Sequence, residues 1–200
     1  MGSGLHRSYL MTFISTLGGS QSTSYISVAD ADGIWANTLN SAAWSALTEA
    51  NKQQALMAST SALEALRYSG VRCSPSKDDA NLQQALQWPR SGYTCKGITA
   101  TCAEIPLQVR QACSYLALSL FNDPNAIIPG VPSPTPQRGA VKMQKLGELQ
   151  QEFFGPSDVG TKVAVSAPIV LQKFPWLIDV LGCWLDGNYG QSGIIDRVRA

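Results

Sequence analysis

The stretch Leu86-Gln87-Trp88-Pro89-Arg90-Ser91-Gly92 decides how the first half of this chain folds. The ring of Pro89 collides with the backbone of the preceding residue, so Trp88 is driven out of helical dihedral angles. A helix predicted over residues 78–87 must therefore end here. Arg90 is placed to cap the carbonyls at that helix end or to stack on the indole. The stretch thus predicts a structural corner of Trp88, Pro89 and Arg90 that locks two helices together.

Helical patterns lie on both sides of this corner. Ser27 and Asp30 form a capping-box pair, which predicts a helix starting at Val28. Thr48 is a suitable cap for a second helix, and Pro106 fits the first turn of another. From their 3.6-residue apolar spacing, the long helices are predicted over residues 28–39, 49–68, 78–87 and 105–121.

The composition changes after residue 124. Four prolines between residues 129 and 136 predict an extended connector. Residues 140–154 alternate in hydropathy, which predicts a β-hairpin. Residues 168–185 predict two short helices that break at Phe174-Pro175-Trp176. The remaining residues, 186–200, are typical either of a docking arm or of a disordered tail.

The predicted fold class is mainly α, a helical bundle with a small β-hairpin and extended N- and C-terminal arms. Met1-Gly2-Ser3-Gly4 is typical of an added linker, so residues 1–10 carry no weight in this prediction. The predicted organisation is a flexible N-terminal arm (1–24), a helical bundle (25–123), a proline-rich connector (124–139) and a region with the hairpin, short helices and a C-terminal docking arm (140–200).

Composition narrows the classes of function. Lys and Arg total 15 against 14 Asp and Glu, a net charge of +1, so the chain has no long-range field for attracting nucleic acid. Only 14% of residues are charged, which is typical of surfaces that become covered in an assembly. No apolar run approaches the roughly 20 residues that span a bilayer, so no membrane partner is expected.

Catalytic motifs are absent from the sequence. The chain has one histidine, and it lacks phosphate-binding glycine loops. Asp30 and Asp32 lie two residues apart on a predicted helix, so their side chains point to different sides. Both are expected to stabilise the first turn of the helix through the helix dipole, not to form a catalytic pair. Cys95 and Cys102 could close a small disulfide or share a metal, although free thiols are usual in a reducing cytosol. We therefore expect no enzymatic activity, no cofactor and no metal.

Short motifs occur in a distinctive order between residues 24 and 122. They are Tyr25-x-Ser27-Val28-x-Asp30-Ala31, Trp44, the 56–63 helix, Tyr68-x-Gly70-x-Arg72, the corner stretch and Ile105-Pro106-x-x-Val109-x-x-Ala112. This order resembles small tailed-bacteriophage proteins that are similar to head-to-tail adaptor, or head-completion, proteins. Some of them are labelled DnaT-like single-stranded-DNA-binding proteins. The loop over residues 93–104 is longer than that pattern requires, and the chain after Pro129 matches only in general character.

The resemblance implies a structural virion protein made in the host cytoplasm. Such adaptors form a ring, commonly of twelve copies, under the portal of a DNA-filled capsid. The implied partners are the portal protein, further copies of the chain, tail or nozzle proteins, and the genomic double-stranded DNA passing through the lumen. A ring would also account for the low fraction of charged residues, because each subunit would bury two different faces against its neighbours.

The same resemblance implies where the partners bind. The C-terminal arm would dock on the portal, with aromatic side chains supplying much of the interface energy. Lys142 and Lys145 on the hairpin would face the DNA channel. For Trp176 and Trp184, ordinary core packing remains the alternative. The implied portal-docking residues are Trp176, Trp184, Tyr189, Ile194, Ile195, Arg197 and Arg199.

The alternative function is single-stranded-DNA binding in phage replication. It requires a basic groove with aromatic side chains on which bases stack. Candidate cations are Arg67, Arg72, Lys77, Arg90 and Lys96, with Tyr68, Trp88 and Tyr93 between them. Salt-sensitive DNA affinity would distinguish this function from that of an adaptor.

Overall fold

The computed structural model describes residues 12–73, 83–128, 141–145, 150–153 and 168–186. Within these ranges the fold is mainly α with short antiparallel strand pairs, which confirms the predicted class. The helices are α1 (Val28–Ala36), α2 (Ser41–Ser45), α3 (Glu49–Glu64), α4 (Leu107–Asn122), α5 (Ile169–Lys173) and α6 (Trp176–Leu181). The strands are β1 (Val71–Arg72), β2 (Arg90–Ser91), β3 (Thr94–Cys95), β4 (Ile98–Thr99), β5 (Val141–Lys145) and β6 (Gln150–Phe153).

The helix starts follow the capping residues. The Ser27 hydroxyl accepts a hydrogen bond from the Asp30 amide at 3.1 Å, and α1 begins at the next residue after Ser27. Helix α1 ends three residues before the predicted Leu39, because the Thr38 hydroxyl donates to the Trp35 carbonyl at 2.9 Å. Leu39, the last residue of the helix predicted from apolar spacing, is fully exposed.

The core is centred on α3 packed against α4. From α3, Leu56 and Leu63 are fully buried. The predicted apolar stripe of α4 is confirmed, since Val109, Cys113 and Leu116 have no exposed surface and Leu120 has 4%. Burying a leucine side chain of this kind contributes roughly 1.5–3 kcal/mol. These two helices therefore supply much of the stability of the bundle.

The chain before the corner is not helical. The helix predicted over residues 78–87 is wrong in its described part, 83–87. The Ala85 amide donates to the Gly19 carbonyl at 3.0 Å, and the Gln87 amide donates to the Glu64 carboxylate at 2.8 Å. These long-range partners take the place of the hydrogen bonds that a helix would form.

Residues 93–104, predicted as an irregular loop, contain a β-hairpin. Strands β3 and β4 pair through the turn Lys96-Gly97, where both residues have positive φ. Strands β1 and β2 pair as a second antiparallel unit beside it. The predicted hairpin over residues 140–154 is confirmed by the pairing of β5 with β6.

Two disulfide bonds tie these elements together. Cys73 bonds to Cys102 across a Cα–Cα distance of 5.5 Å, and Cys95 bonds to Cys183. The alternatives drawn from the sequence, a Cys95–Cys102 pair, a shared metal or free thiols, are therefore wrong for these four cysteines. Each cysteine pairs with a partner that is distant in sequence, so spacing alone could not identify it. Cys113 stays a free thiol within the core.

The C-terminal segment, residues 168–186, packs into the same core as the bundle. Its two short helices break at Phe174-Pro175, as predicted. Leu177 and Leu181 have no exposed surface. The Asp186 amide donates to the Arg67 carbonyl at 3.0 Å, which joins the end of this segment to the chain after α3.

The described part of the predicted N-terminal arm, residues 12–24, closes into a turn. The Thr23 amide donates to the Ile14 carbonyl at 2.8 Å, and the Ile14 amide donates to the Thr23 hydroxyl at 2.9 Å. Ser22 and Ser24 are buried. None of the helices given above has both the length and the apolar content that crossing a bilayer requires.

Candidate interaction surfaces

Arg90 holds the corner together through backbone carbonyls. Its Nε donates to the Ser69 carbonyl at 2.8 Å, and its Nη2 donates to the Gly70 carbonyl at 2.6 Å. The guanidinium therefore caps the segment after α3, not the end of a helix before the corner. Burial and the nearby charge of Arg72 lower the pKa of Arg90. Gly70 has φ +80°, and an added Cβ would meet the Ser91 carbonyl oxygen at 2.6 Å, so only glycine fits there.

Trp88 lies at the centre of an aromatic cluster. Its ring packs edge-on against Tyr68 at 5.5 Å and against Trp184 at 5.6 Å between centroids. Tyr93 contacts Trp184 from the side, at 6.2 Å. Trp88 and Trp184 are each 1% exposed. Trp184, a predicted portal-docking residue, is thus a core residue in this structure, which was the alternative that the sequence left open.

Several of the described residues predicted for a DNA-binding groove are used within the fold instead, although Arg67, Arg72 and Lys96 keep exposed surface. Tyr68 and Trp88 are buried, so neither ring face is open to a base. The Arg72 guanidinium donates to the carbonyls of Gln84 and Leu86, and Arg90 is engaged as described above. Arg67 and Lys96 are exposed, and Lys77 lies outside the described residues.

The other predicted contact residues are distributed along the C-terminal half. Trp176 begins α6 and is half-buried. Lys142 and Lys145 lie on strand β5. The remaining predicted portal-docking residues, Tyr189, Ile194, Ile195, Arg197 and Arg199, lie outside the described residues.

Buried polar groups form hydrogen bonds within the bundle. Glu64 accepts hydrogen bonds from the Tyr25 hydroxyl and the Gln87 amide. Burial raises the pKa of Tyr25 well above its usual value, and Tyr68 and Glu64 add to this effect. Burial likewise raises the pKa of the Cys113 thiol, so it is a poor nucleophile. Among the described residues, no group of three His, Cys, Asp or Glu side chains comes together to hold a metal ion.

Asp32 has a role that the sequence did not predict. Its carboxylate accepts a hydrogen bond from the Trp44 indole at 2.6 Å and pairs with the Lys52 ammonium at 2.8 Å. The same ammonium lies 5.5 Å from the centre of the Trp44 ring. Asp32 therefore fastens α1 to α2 and α3, and only Asp30 acts at the helix start.

A groove between α1, α4 and α6 was missed by sequence reasoning. We call it the α1–α4 groove; its volume is about 450 Å³, and it is lined in part by Trp35, Thr38, Tyr115, Ser119, Asn122 and Trp176. A smaller adjoining cavity, toward Asp30 and Arg110, shares Thr38 and Tyr115 with it. No single sequence pattern could have identified this groove, because its aromatic residues come from three separate helices.

The aromatic side chains of this groove form a row. Tyr115 lies edge-on to Trp35 at 5.1 Å and to Trp176 at 6.4 Å between ring centroids. Trp35 is 5% exposed, and its indole Nε1 has no hydrogen-bond partner among the described residues. Because this nitrogen is itself buried, the groove presents aromatic surface without an accessible indole donor.

Comparison with known proteins gives one match. A family model described as "Putative DnaT-like ssDNA binding protein" matches residues 11–181. No curated protein and no solved structure matches the chain. The matched range extends past the bundle through the connector, the hairpin and α6. The chain therefore belongs to the DnaT-like ssDNA binding protein family.

Proposed function

We propose that this protein is a head-to-tail adaptor, a structural virion protein that forms a ring under the portal and links the DNA-filled capsid to the tail. The proposal rests on the observation that the corner residues have structural roles within the fold. Trp88 and Tyr68 fill the core, while Arg72 and Arg90 bind backbone carbonyls. The motif order that suggested the family thus builds a rigid scaffold, as an assembly protein needs.

The disulfides support a role in the virion. Four of the five cysteines are paired in the structure. Disulfides persist in oxidising surroundings and are rare in proteins that work in the cytosol. A particle released from its host meets oxidising surroundings, whereas a replication protein works in a reducing compartment. The pairing therefore favours a component of the released particle over a replication factor.

The low charge also supports an assembly role. With 14% charged residues and a net charge of +1, much of the surface is neutral. Such a surface suits contacts between subunits, and it would let DNA pass through a lumen without tight binding. In this proposal the partners are the portal, neighbouring copies, tail or nozzle proteins and the genomic DNA.

Single-stranded-DNA binding is the second candidate, and the family description favours it. In this fold it would have to use exposed cations such as Arg67 and Lys96, without the buried rings of the corner. Binding of this kind rests on phosphate contacts, so its affinity would fall steeply with salt.

The deciding experiment compares the mass of the purified protein alone with its mass after mixing with the cognate portal ring. The proposal predicts a monomer that adds to the portal in stoichiometric copies. A chain lacking residues 187–200 should fail to add, because that segment holds the expected anchors, Ile194 and Ile195 among them. A chain lacking residues 2–11 is the matched control and should still add.

The same samples are titrated with a fluorescent oligothymidylate at low and high salt. Absence of portal association, together with tight and salt-dependent oligonucleotide binding, would reject the adaptor and establish the second candidate. Portal association with weak oligonucleotide binding would support the adaptor.

A further inference from the structure

We infer that Leu39 of one copy of this chain inserts into a surface pocket between α3 and α4 of a second copy. The inference rests on the proposed ring, for which it names the contact between neighbouring copies. Two observations lead to it. One is a leucine that the fold leaves fully exposed, and the other is an uncharged pocket on the opposite side of α4.

Leu39 lies in the turn between α1 and α2. Its exposed fraction is 103%, so no part of the described fold covers it. The next residue, Asn40, is also exposed, and its side chain makes no capping hydrogen bond to α2. Residues 37–43 carry no charge. The turn therefore presents an apolar side chain and an amide, without a charge that a partner would have to desolvate.

Hydrogen bonds hold this turn in one shape. The Thr38 amide and hydroxyl both donate to the Trp35 carbonyl at 2.9 Å, and the Ser41 amide donates to the Thr38 carbonyl at 3.2 Å. Because the backbone around Leu39 is already ordered, less conformational entropy is lost when a partner binds it.

The pocket lies where α3 packs against α4, and we call it the α3–α4 pocket. Its volume is about 280 Å³, and besides Gln54 it is lined by the apolar residues Ala55, Ala58, Leu120, Phe121, Pro124 and Ile127. None of the described residues that line it is charged. Phe121 is 39% exposed, so part of its ring contacts solvent in the single chain. An inserted leucine would cover this apolar surface, which favours association.

The edges of the two surfaces also match. Gln54 is exposed on α3 at the pocket, and Asn40 is exposed beside Leu39. Two primary amides can exchange hydrogen bonds, because each carries donors and an acceptor. The contact would then have an apolar centre and a polar edge, as specific interfaces have. A second cavity beside α3 is a poorer match, since Glu64 lines it and would place a carboxylate next to the leucine.

Leu39 and the α3–α4 pocket lie on opposite sides of α4. The two residues that flank Leu39 line the α1–α4 groove together with Ser119 and Asn122 of α4. The pocket contains Leu120 and Phe121 of the same helix. At about 100° per residue, these two pairs face in opposite directions. Leu39 therefore cannot fill the pocket of its own subunit, and the leucine that fills it comes from another copy.

A contact of this kind suits a ring. Each copy offers Leu39 on one side and the pocket on the other, so it can bind two neighbours at once. Two different surfaces meet at each contact, and such contacts close into a ring when the rotation between copies permits. The chain carries both halves of the contact, so no other protein has to supply one.

The first test measures self-association of the full-length protein by sedimentation velocity, up to its highest soluble concentration. The wild-type protein should associate at high concentration. Leu39→Ser removes the inserted side chain, and Ala58→Glu places a charge in the pocket. Each should weaken association roughly ten- to a hundredfold.

Val71→Ser is the matched control for this test. Val71 is also exposed, at 69%, but it does not line the pocket, so this variant should associate like the wild-type protein. All three substitutions lie at exposed positions, so the variants should fold, and urea unfolding of each checks this.

The second test mixes Leu39→Ser with Ala58→Glu in equal amounts. The first variant keeps an intact pocket and the second keeps Leu39, so the mixture retains one pair of matching surfaces. It should form a complex of two chains and nothing larger. Each variant alone should stay a monomer at the same concentration.

Several results would overturn the inference. They are a wild-type protein that stays a monomer at every concentration, association that neither substitution weakens, and a mixture that stays monomeric or grows beyond two chains. If the wild-type protein stays a monomer and Ala58→Glu abolishes its binding to the portal ring, the pocket belongs to the portal instead.

Both tests use the protein without the portal, so their outcome is separate from that of the adaptor proposal. A protein that binds the portal and fails the mixing test keeps the adaptor role and loses this contact. A protein that passes the mixing test and does not bind the portal keeps the contact and loses the adaptor role.

Discussion

Removing the Cys73–Cys102 disulfide should destabilise the protein by an amount that can be calculated from the chain. The bond joins residues 29 positions apart, linking the end of β1 to the segment after β4. A crosslink of this span lowers the entropy of the unfolded chain by an amount worth about 3.5 kcal/mol at 25 °C. This value is an upper bound, because the Cys95–Cys183 bond already constrains part of the same chain.

The assay is urea unfolding of the double variant Cys73→Ser, Cys102→Ser, followed by tryptophan fluorescence. With a slope of about 2 kcal/mol per molar urea, the midpoint should fall by up to about 1.75 M. Adding a reductant to the wild-type protein should lower its midpoint to or below that of the variant, since both disulfides then open.

A count of free thiols in urea without reductant checks the premise. The wild-type protein should show one thiol, that of Cys113, and five after reduction. Five thiols before reduction, or a variant within about 0.5 kcal/mol of the wild-type protein, would refute the reasoning. The same result would remove one support for the virion role.

Three further predictions concern the corner, the buried tyrosines and the end of α1. The variant Arg90→Met loses hydrogen bonds to the Ser69 and Gly70 carbonyls, so urea unfolding should show a loss of about 2–3 kcal/mol. Because burial raises the pKa of Tyr25, the folded protein keeps this phenol neutral where the unfolded chain ionises it. The free energy of unfolding should therefore be unaffected by this group below about pH 10 and should fall as the pH rises above it. The fall with pH should be shallower in Tyr25→Phe. The same pH dependence in the variant and the wild-type protein would contradict the buried environment. Leu39→Ser, at a fully exposed position, should change the free energy of unfolding by less than about 0.5 kcal/mol, and a larger loss in urea unfolding would place Leu39 in a contact that this fold lacks.

The elements that the sequence predicted well are those with local causes. The buried stripe of α4 follows from its 3.6-residue spacing, and the break between α5 and α6 follows from Pro175. The start of α1 follows from the Ser27 cap. In each case the residues responsible lie within one or two turns of the feature they determine.

The features that the sequence did not reveal depend on distant partners. Residues 83–87 have a helical pattern, but the Glu64 carboxylate and the Gly19 carbonyl hold their backbone in another form. The Cys95–Cys183 pairing spans 88 positions, and no spacing rule indicates it. The α1–α4 groove likewise needs Trp35 and Tyr115 from helices that meet only after folding.

The hydrogen bond from the Asp186 amide to the Arg67 carbonyl holds Asp186 beside the segment after α3. Together with the Cys95–Cys183 bond and the burial of Trp184, it secures the chain against the bundle just before the fourteen residues 187–200. Fourteen residues extend at most about 45–50 Å. Any partner that grips their end must therefore lie within that radius of the end of α3. A partner bound to these residues therefore stays close to the bundle. The position of the bundle relative to that partner is restricted before any second contact forms.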